Sequence, residues 1–399
     1  MTTEPQAFAQ SRSTPSDGAP DLVFTGIGAV ASVGGSADEI FQALCAGRSG
    51  LAELRSFDRG RYRVQHAYEI DDRPESGADA PGRATRWLLD AIAEAARDAG
   101  LGEDLAGIPI LIGTGLRELR SAELGWRDGA DFDLARLHFG TALRERFGAV
   151  RTYTFSNACS ASLYALALGS DLLAAGEAET VIVAGVDTLT ESMYGLLDRV
   201  HMEAPDQLRP FDRERKGVLM GEGAAAVVLR RADSNGGAPV RGRLRSVAVN
   251  CDAYHVTAPD PNGIAEAVRT AHREAGVKPE DIDLVMLHGT GTLLNDEAEA
   301  TAVGEVFGSH VSRPLMTAIK SMTGHTSGGS GLLSLIVALQ AIEGGRIPPV
   351  VGLREPVAEA ESFRLVRDEQ RIAEPLLAQV DAFGFGGVNA VAIVERAAL

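Results

Sequence analysis

Residues 151–185 read RTYTFSNACS ASLYALALGS DLLAAGEAET VIVAG, and they decide the fold. The first nine are extended and run into the small-residue turn Ser156-Asn157-Ala158-Cys159-Ser160. Residues 161–175, rich in alanine and leucine, predict a helix. Residues 180–185 are β-branched and small, which suits a strand covered on both faces. Strand, turn, helix and strand in this order imply an α/β layered protein.

The alternation extends both ways. Leu22-Val23-Phe24 leads a strand into Gly26-Ile27-Gly28. Ser36 precedes Asp38 and Glu39, an N-cap with an acidic first turn, for a helix that stops at Gly47. Residues 71–82 form a surface loop, 85–99 a helix stopped by Gly100, and 108–113 a short buried strand. Beyond the quoted stretch come a charged loop at 204–217 and a strand at 222–230. A strand at 244–250, a helix at 263–275, a strand at 284–287 and a helix at 297–307 follow. A long apolar helix at 328–344 and strands at 379–383 and 390–394 close the chain. Ile112-Gly113-Thr114-Gly115 and His288-Gly289-Thr290-Gly291 echo each other after short apolar strands. The echo alone is too short to establish duplication.

Composition narrows the function. The 399 residues carry 38 basic and 55 acidic side chains, so the net charge is 38 − 55 = −17. That argues against a protein that coats nucleic acid or anionic membrane by charge. The 45% apolar content excludes wholesale disorder. Cys45, Cys159 and Cys251 are too few for a disulfide framework and point to a reducing compartment. Residues 1–20 are polar, lack the apolar core of a signal peptide, and read as a disordered tail. The apolar run at 332–342 is interrupted by Ser334 and Gln340 and is shorter than the roughly 20 residues of a bilayer span. A soluble, cytoplasmic protein is expected.

Several stretches invite a chemical reading. Gly26-Ile27-Gly28-Ala29-Val30-Ala31 fits a dinucleotide fingerprint, but no helix opens at its glycines and no strand ending in an acid follows at the required distance. Cys159 lies at a strand-to-helix turn, where a helix N-terminus favours thiolate and small neighbours admit an acyl group. The alternative is an inert buried cysteine, the reading given to Cys45 and Cys251. His288 and His325 sit in Gly/Thr-rich strand ends; with a placed cysteine they suit an activated thiol nucleophile. No cluster has zinc spacing, so no metal is expected. Phe383-Gly384-Phe385-Gly386-Gly387-Val388-Asn389 reads as a hairpin packed by two phenylalanines, or as a turn whose N–H groups hold an oxyanion.

Six motifs occur in order. They are Asn157-Ala158-Cys159-Ser160, Arg209-Pro210-Phe211-Asp212, Gly221-Glu222-Gly223, His288-Gly289-Thr290-Gly291-Thr292, Lys320-Ser321 with Gly324-His325-Thr326, and Gly384-Phe385-Gly386-Gly387 with Asn389. The set resembles the β-ketoacyl-acyl-carrier-protein synthases over residues 21–396, above all the Cys-His-His condensing enzymes, including type II polyketide ketosynthases. The resemblance implies a thiolase fold: two similar interlocked halves, roughly 21–235 and 240–399, in a five-layered α-β-α-β-α arrangement. It implies Cys159 as nucleophile, His288 and His325 as N–H donors to an enolate oxygen, and Lys320 as a charge that positions the second histidine. It also implies an oxyanion hole from the N–H groups of Cys159 and Phe385, a gate at Phe385, and substrate contacts at Thr290, Thr292 and Gly386. No bound cofactor is expected, because the substrates ride on the phosphopantetheine of an acyl-carrier protein.

The chain departs from that pattern in three places. Ser334 stands where relatives carry a glutamate near the lysine. Lys216-Gly217 replaces Asp-Gly. Gly148-Ala149-Val150-Arg151 lacks the usual Gly-Pro, in a stretch, Gly113 to Cys159, that is short beside housekeeping elongation enzymes. These departures suggest specialised metabolism rather than general fatty-acid synthesis. An acidic carrier protein would need a local basic patch, for which Arg59, Arg61 and Arg63, or Arg213, Arg215 and Lys216, are candidates. The expected assembly is a homodimer, or a heterodimer with a chain-length-factor-like subunit. The competing functions are acyl transfer without elongation and a non-catalytic subunit.

Overall fold

Residues 20–73, 79–367 and 369–397 are described by a computed structural model. The expected tail, except Pro20, and residues 74–78 of the expected loop lie outside this set. In chain order the strands of the main sheet are β1 (Leu22–Ala31), β2 (Ile110–Gly113), β3 (Thr152–Phe155), β4 (Thr180–Asp187), β5 (Gly223–Arg231), β6 (Gly242–Cys251), β7 (Leu284–Met286), β8 (Leu315–Thr317), β9 (Arg364–Leu365), β10 (Leu377–Gly384) and β11 (Val388–Glu395). The principal helices are α1 (Ala37–Cys45), α2 (Arg83–Asp98), α3 (Ala161–Ala174), α4 (Pro261–Ala275), α5 (Leu293–Phe307) and α6 (Ser330–Gly344).

The strand order is β9-β8-β7-β10-β11-β6-β1-β5-β4-β2-β3. Outward from the middle, β1-β5-β4-β2-β3 pair antiparallel, antiparallel, parallel and parallel. From the same seam, β6-β11-β10-β7-β8 pair in the same sequence of senses. The two series are joined where Leu22, Val23 and Phe24 pair with Leu244, Arg243 and Gly242. Strand order and direction are thus repeated, and the two Gly-Thr-Gly turns follow equivalent strands, β2 and β7.

Helices cover the sheet in layers because the central strands are apolar on both faces. In β4, Val181 and Val183 join the middle core while Ile182 and Ala184 join an outer one. The middle layer is α3 and α6, whose Leu163, Leu166, Leu335 and Leu339 pack with Val183 and Val227 on one side and Val380 and Ala392 on the other. Trp87, Leu88 and Ile92 of α2 cover one outer face. Ile264 and Val268 of α4, with Val303 and Phe307 of α5, cover the other. Each such fully buried side chain contributes about 1.5–3 kcal/mol. This is the α-β-α-β-α layering of the thiolase fold.

Local signals mostly match. Ser36 caps α1 by accepting the Glu39 N–H at 3.2 Å. Gly26 and Gly28 lie inside β1, and a Cβ there would come within 2.1 and 2.2 Å of the Ala95 and Ala91 carbonyl oxygens. They are glycine so that α2 can lie against the strand, which ends the dinucleotide reading. α5 starts at Leu293, four residues before the expected 297, because Thr292 caps it. Strand β8 and the helices Leu119–Asp128, Gly140–Phe147 and Glu191–Val200 were not anticipated. Among the described residues no helix is long and apolar enough to cross a membrane.

Candidate active site

Cys159 occupies the single turn Ala158–Ser160 between β3 and α3. Ala158, just before it, has φ of +49°, a left-handed conformation costing a non-glycine residue about 1–3 kcal/mol. The surroundings hold the turn in place. Ser156 Oγ donates to the Thr114 carbonyl at 3.1 Å, and Ser162 Oγ accepts the Leu332 N–H of α6 at 3.1 Å. Gly113 lies so close that a Cβ would stand 2.3 Å from the Ala161 backbone. Only glycine lets β2 meet the start of α3.

His325 follows the short helix Lys320–Thr323, in the equivalent turn between β8 and α6. Its N–H donates to Leu219 at 2.9 Å, and its carbonyl accepts from Gly221 at 3.0 Å. A Cβ on Gly221 would come within 2.2 Å of the Thr323 carbonyl oxygen, which accounts for the first glycine of Gly221-Glu222-Gly223. Glu222 takes both Arg83 nitrogens at 3.0 and 2.9 Å from within the core. Asp187 accepts from Thr114 Oγ1 and from the N–H groups of Gly115, Leu116 and Gly328, all at 2.7–2.8 Å. One carboxylate thereby joins the turn after β2 to the turn that carries His325.

His288 follows β7. Its N–H and that of Gly289 donate to Glu299 of α5 at 2.6 and 2.8 Å. Asp296 accepts from Thr290, Gly291 and Phe211 at 3.1, 3.2 and 2.7 Å, which ties Arg209-Pro210-Phe211-Asp212 to the same turn. Lys320 Nζ donates to the His288 carbonyl at 2.5 Å and lies 3.3 Å from its Nδ1. The lysine therefore grips the first histidine, whereas the resemblance had implied that it positions the second. It reaches His325 only through its charge.

These turns converge. His325 Nε2 is 3.0 Å from Cys159 Sγ. One ligand-type atom each from Cys159, His288 and His325 lie within 4.8 Å of one another. The imidazoles stand edge to face, 5.4 Å apart at 85°, and Phe383 closes on His288 at 5.8 Å. An ammonium has donors only, so His288 Nδ1 must accept from Lys320 and its proton sits on Nε2. His325 Nδ1 is buried without a partner; a proton there would be an unpaired buried donor, so it also belongs on Nε2.

Burial pushes both imidazoles well below their usual range, aided by the Lys320 charge, and keeps them neutral. The Cys159 thiol rises to about 11 through burial, opposed by Lys320 and the Phe385 N–H. Burial also pulls Lys320 down and pushes Glu299 up.

The remaining expected residues fall as follows. Phe385, half exposed, lies in the hairpin turn between β10 and β11 with its N–H on the sulfur; the stretch is a hairpin, but Phe383 packs it and Phe385 does not. Gly386 has φ of +88°, and its N–H is taken by the Val256 carbonyl at 2.8 Å, so it offers no free donor. Thr290 and Thr292 pair through their hydroxyls at 3.0 Å. The arginine clusters are not free patches. Arg59 pairs with Glu53, Arg61 with Glu191, Arg213 with Glu355 and Lys216 with Glu203. Arg63 donates to the His201 carbonyl. Arg215 is buried against Asp296 and Glu297. Asp187, Asp296 and Glu299 were missed; the only hint was two acids three apart, Asp296 and Glu299, in an alanine-rich helix.

Comparison with known proteins agrees with this geometry. Residues 149–235 match the model for the beta-ketoacyl synthase N-terminal domain, and residues 241–354 that for its C-terminal domain. The chain is 30% identical to 3-oxoacyl-[acyl-carrier-protein] synthase I, chloroplastic, of Hordeum vulgare, over 93% of this chain and 88% of that protein. It is 28% identical to nodulation protein E of Rhizobium meliloti, over 93% and 98%. The solved ishigamide ketosynthase/chain length factor superposes with a TM-score of 0.87 at 31% identity, covering 95% of this chain and all of that one. The chain belongs to the β-ketoacyl synthase family.

Proposed function

We propose that this chain is a decarboxylative condensing enzyme acting on thioesters of an acyl-carrier protein. The observation that carries the reading is the 3.0 Å approach of His325 Nε2 to Cys159 Sγ, with the His288 ring edge-on beside it. Cys159 attacks an acyl thioester. The new C–S bond forms, the pantetheine C–S bond breaks, and the thiol proton ends on the departing pantetheine sulfur. Between the two, the oxygen of the tetrahedral intermediate meets the N–H groups of Cys159 and Phe385. Malonyl thioester then loses CO2, and the C–C electron pair passes into an enolate whose oxygen takes the two Nε2–H donors. The enolate carbon attacks the acyl carbonyl, the C–S bond to Cys159 breaks, and the departing thiolate takes a proton from solvent water. Neutral imidazoles suit this step, since they donate without proton transfer.

The relatives' names support the carrier-protein substrate. The departures at Ser334, Lys216 and Gly148 support a role in specialised biosynthesis. A partner subunit, a second copy or a related chain, is supported by β3, which ends the sheet unpaired with Val150 and Tyr153 exposed nearby.

Intact-protein mass spectrometry with a panel of acyl-carrier thioesters, followed by malonyl-carrier protein, tests the proposal. Wild type should gain an acyl mass that Cys159→Ala does not, then discharge it with CO2 and a β-keto product. Acylation without CO2 would move the reading to acyl transfer without elongation.

A further inference from the structure

A working imidazole is normally aimed by a hydrogen bond to its second ring nitrogen. His288 has that bond, from Lys320 at 3.3 Å. His325 does not: among the described residues its Nδ1 is buried with no partner. The direction of the His325 ring is therefore set by its backbone, and so by what holds the turn at residues 320–325.

Tyr68 holds that turn from the side away from Cys159's own helix. The Tyr68 N–H donates to the Met220 carbonyl at 3.0 Å, and its carbonyl accepts the Glu222 N–H at 2.9 Å. Residues 219–221 in turn bond both backbone groups of His325, through the Leu219 carbonyl and the Gly221 N–H. Tyr68 and His325 thus flank one short strip, bridged to it at Gly221 and Met220.

The Tyr68 side chain then crosses to the turn itself. It is 0% exposed. Its hydroxyl donates to the Ser321 carbonyl at 3.2 Å and accepts the Leu208 N–H at 3.3 Å. Its ring lies against Gly324, where a Cβ would stand 2.5 Å from the Tyr68 Cδ2. Gly324 has φ of +68°, and it immediately precedes His325. One side chain therefore touches the turn at Ser321 and at Gly324. Burial raises the hydroxyl to about 12, so it keeps the proton it donates. The neighbours Leu208, Leu219 and Met220 are apolar, and packing alone would be served by an apolar side chain; the phenol oxygen is useful here only through its two bonds.

We infer that Tyr68 is a positioning residue that aims the His325 imidazole at Cys159 by clamping the turn from Lys320 to His325. The inference rests on the condensing reading above and names a residue that neither the motifs nor the catalytic set contains.

The test uses the full chain with isotope-labelled histidine nitrogens, followed by NMR. His288→Ala and His325→Ala assign the two ring signals. Tyr68→Leu removes the hydroxyl and the ring contact, and Tyr68→Phe removes the hydroxyl alone. Tyr68→Leu should move the His325 Nε2 signal and leave that of His288, which Lys320 still holds. CO2 release from malonyl-carrier protein, counted per acyl group loaded, should fall about tenfold in Tyr68→Leu and about threefold in Tyr68→Phe, with KM unchanged. An unmoved His325 signal, or equal movement of both signals with a raised KM, would overturn the proposal. If Tyr68→Leu does not fold, Tyr68→Phe is read by the same two measurements. No CO2 from wild type would instead count against the condensing reading, and the ring signals would still decide the role of Tyr68.

Discussion

The two halves of the sheet share strand order, yet their loops have diverged. After β2, the turn Gly113-Thr114-Gly115 is tied down by Asp187 and packs against α3. After β7, the equivalent turn carries His288 and is tied down by Glu299 and Asp296. After β3 comes Cys159; after β8 come Lys320 and His325. Each of the latter turns contains a non-glycine residue with positive φ, Ala158 at +49° and Ser327 at +46°. The difference teaches how labour is divided. One half supplies a thiol and rigid support, the other supplies both imidazoles and the cation, and the site exists only where the helix N-termini of α3 and α6 meet.

The comparison can be broken from either side. The largest effect is expected from Cys159→Ala, which should abolish acyl-enzyme formation in mass spectrometry. On the opposite half, His288→Ala and His325→Ala should each lower the rate of CO2 release about 10²–10³-fold, and His288→Ala should still take up an acyl group. Removing the tie between halves is the next test. Asp187→Ala leaves three N–H groups and a hydroxyl without their acceptor and should lose about 3 kcal/mol or more in denaturant unfolding.

A pH experiment sharpens the contrast. Because burial raises the Cys159 thiol to about 11, the protonated form dominates at neutral pH. Alkylation of wild type should climb steadily from pH 7 to 10, and Lys320→Met should displace that climb to still higher pH. The smallest effects separate the two threonines at matched places. Thr114→Val should cost stability, about 1 kcal/mol, since its hydroxyl donates to Asp187 and accepts the Arg117 N–H. Thr290→Val, which removes the hydroxyl paired with Thr292, should cost a similar amount and in addition raise KM for carrier-bound substrates.

Much of this was legible in the sequence, and the reasons are physical. Cys159, His288, Lys320 and His325 stand in glycine-rich turns at strand ends, where local order and chemistry coincide. The long strands and helices were legible because apolar residues repeat over many positions. β8 was not, since three residues carry no period. The start of α5 was misplaced because Leu293 and Leu294 are apolar yet exposed. Asp187 left no local trace, because a lone acid reveals burial only once distant N–H groups surround it. The partners of the arginine clusters were hidden for the same reason: Arg61 meets Glu191, 130 residues away.

The most direct test of the division between halves is a single-turnover assay. Wild type and His288→Ala are first acylated on Cys159, then mixed with malonyl-carrier protein, and CO2 is counted. The account expects equal acyl loading in both proteins and CO2 release at least 100-fold slower in His288→Ala. Equal CO2 release from the two proteins, or none from wild type, would contradict it.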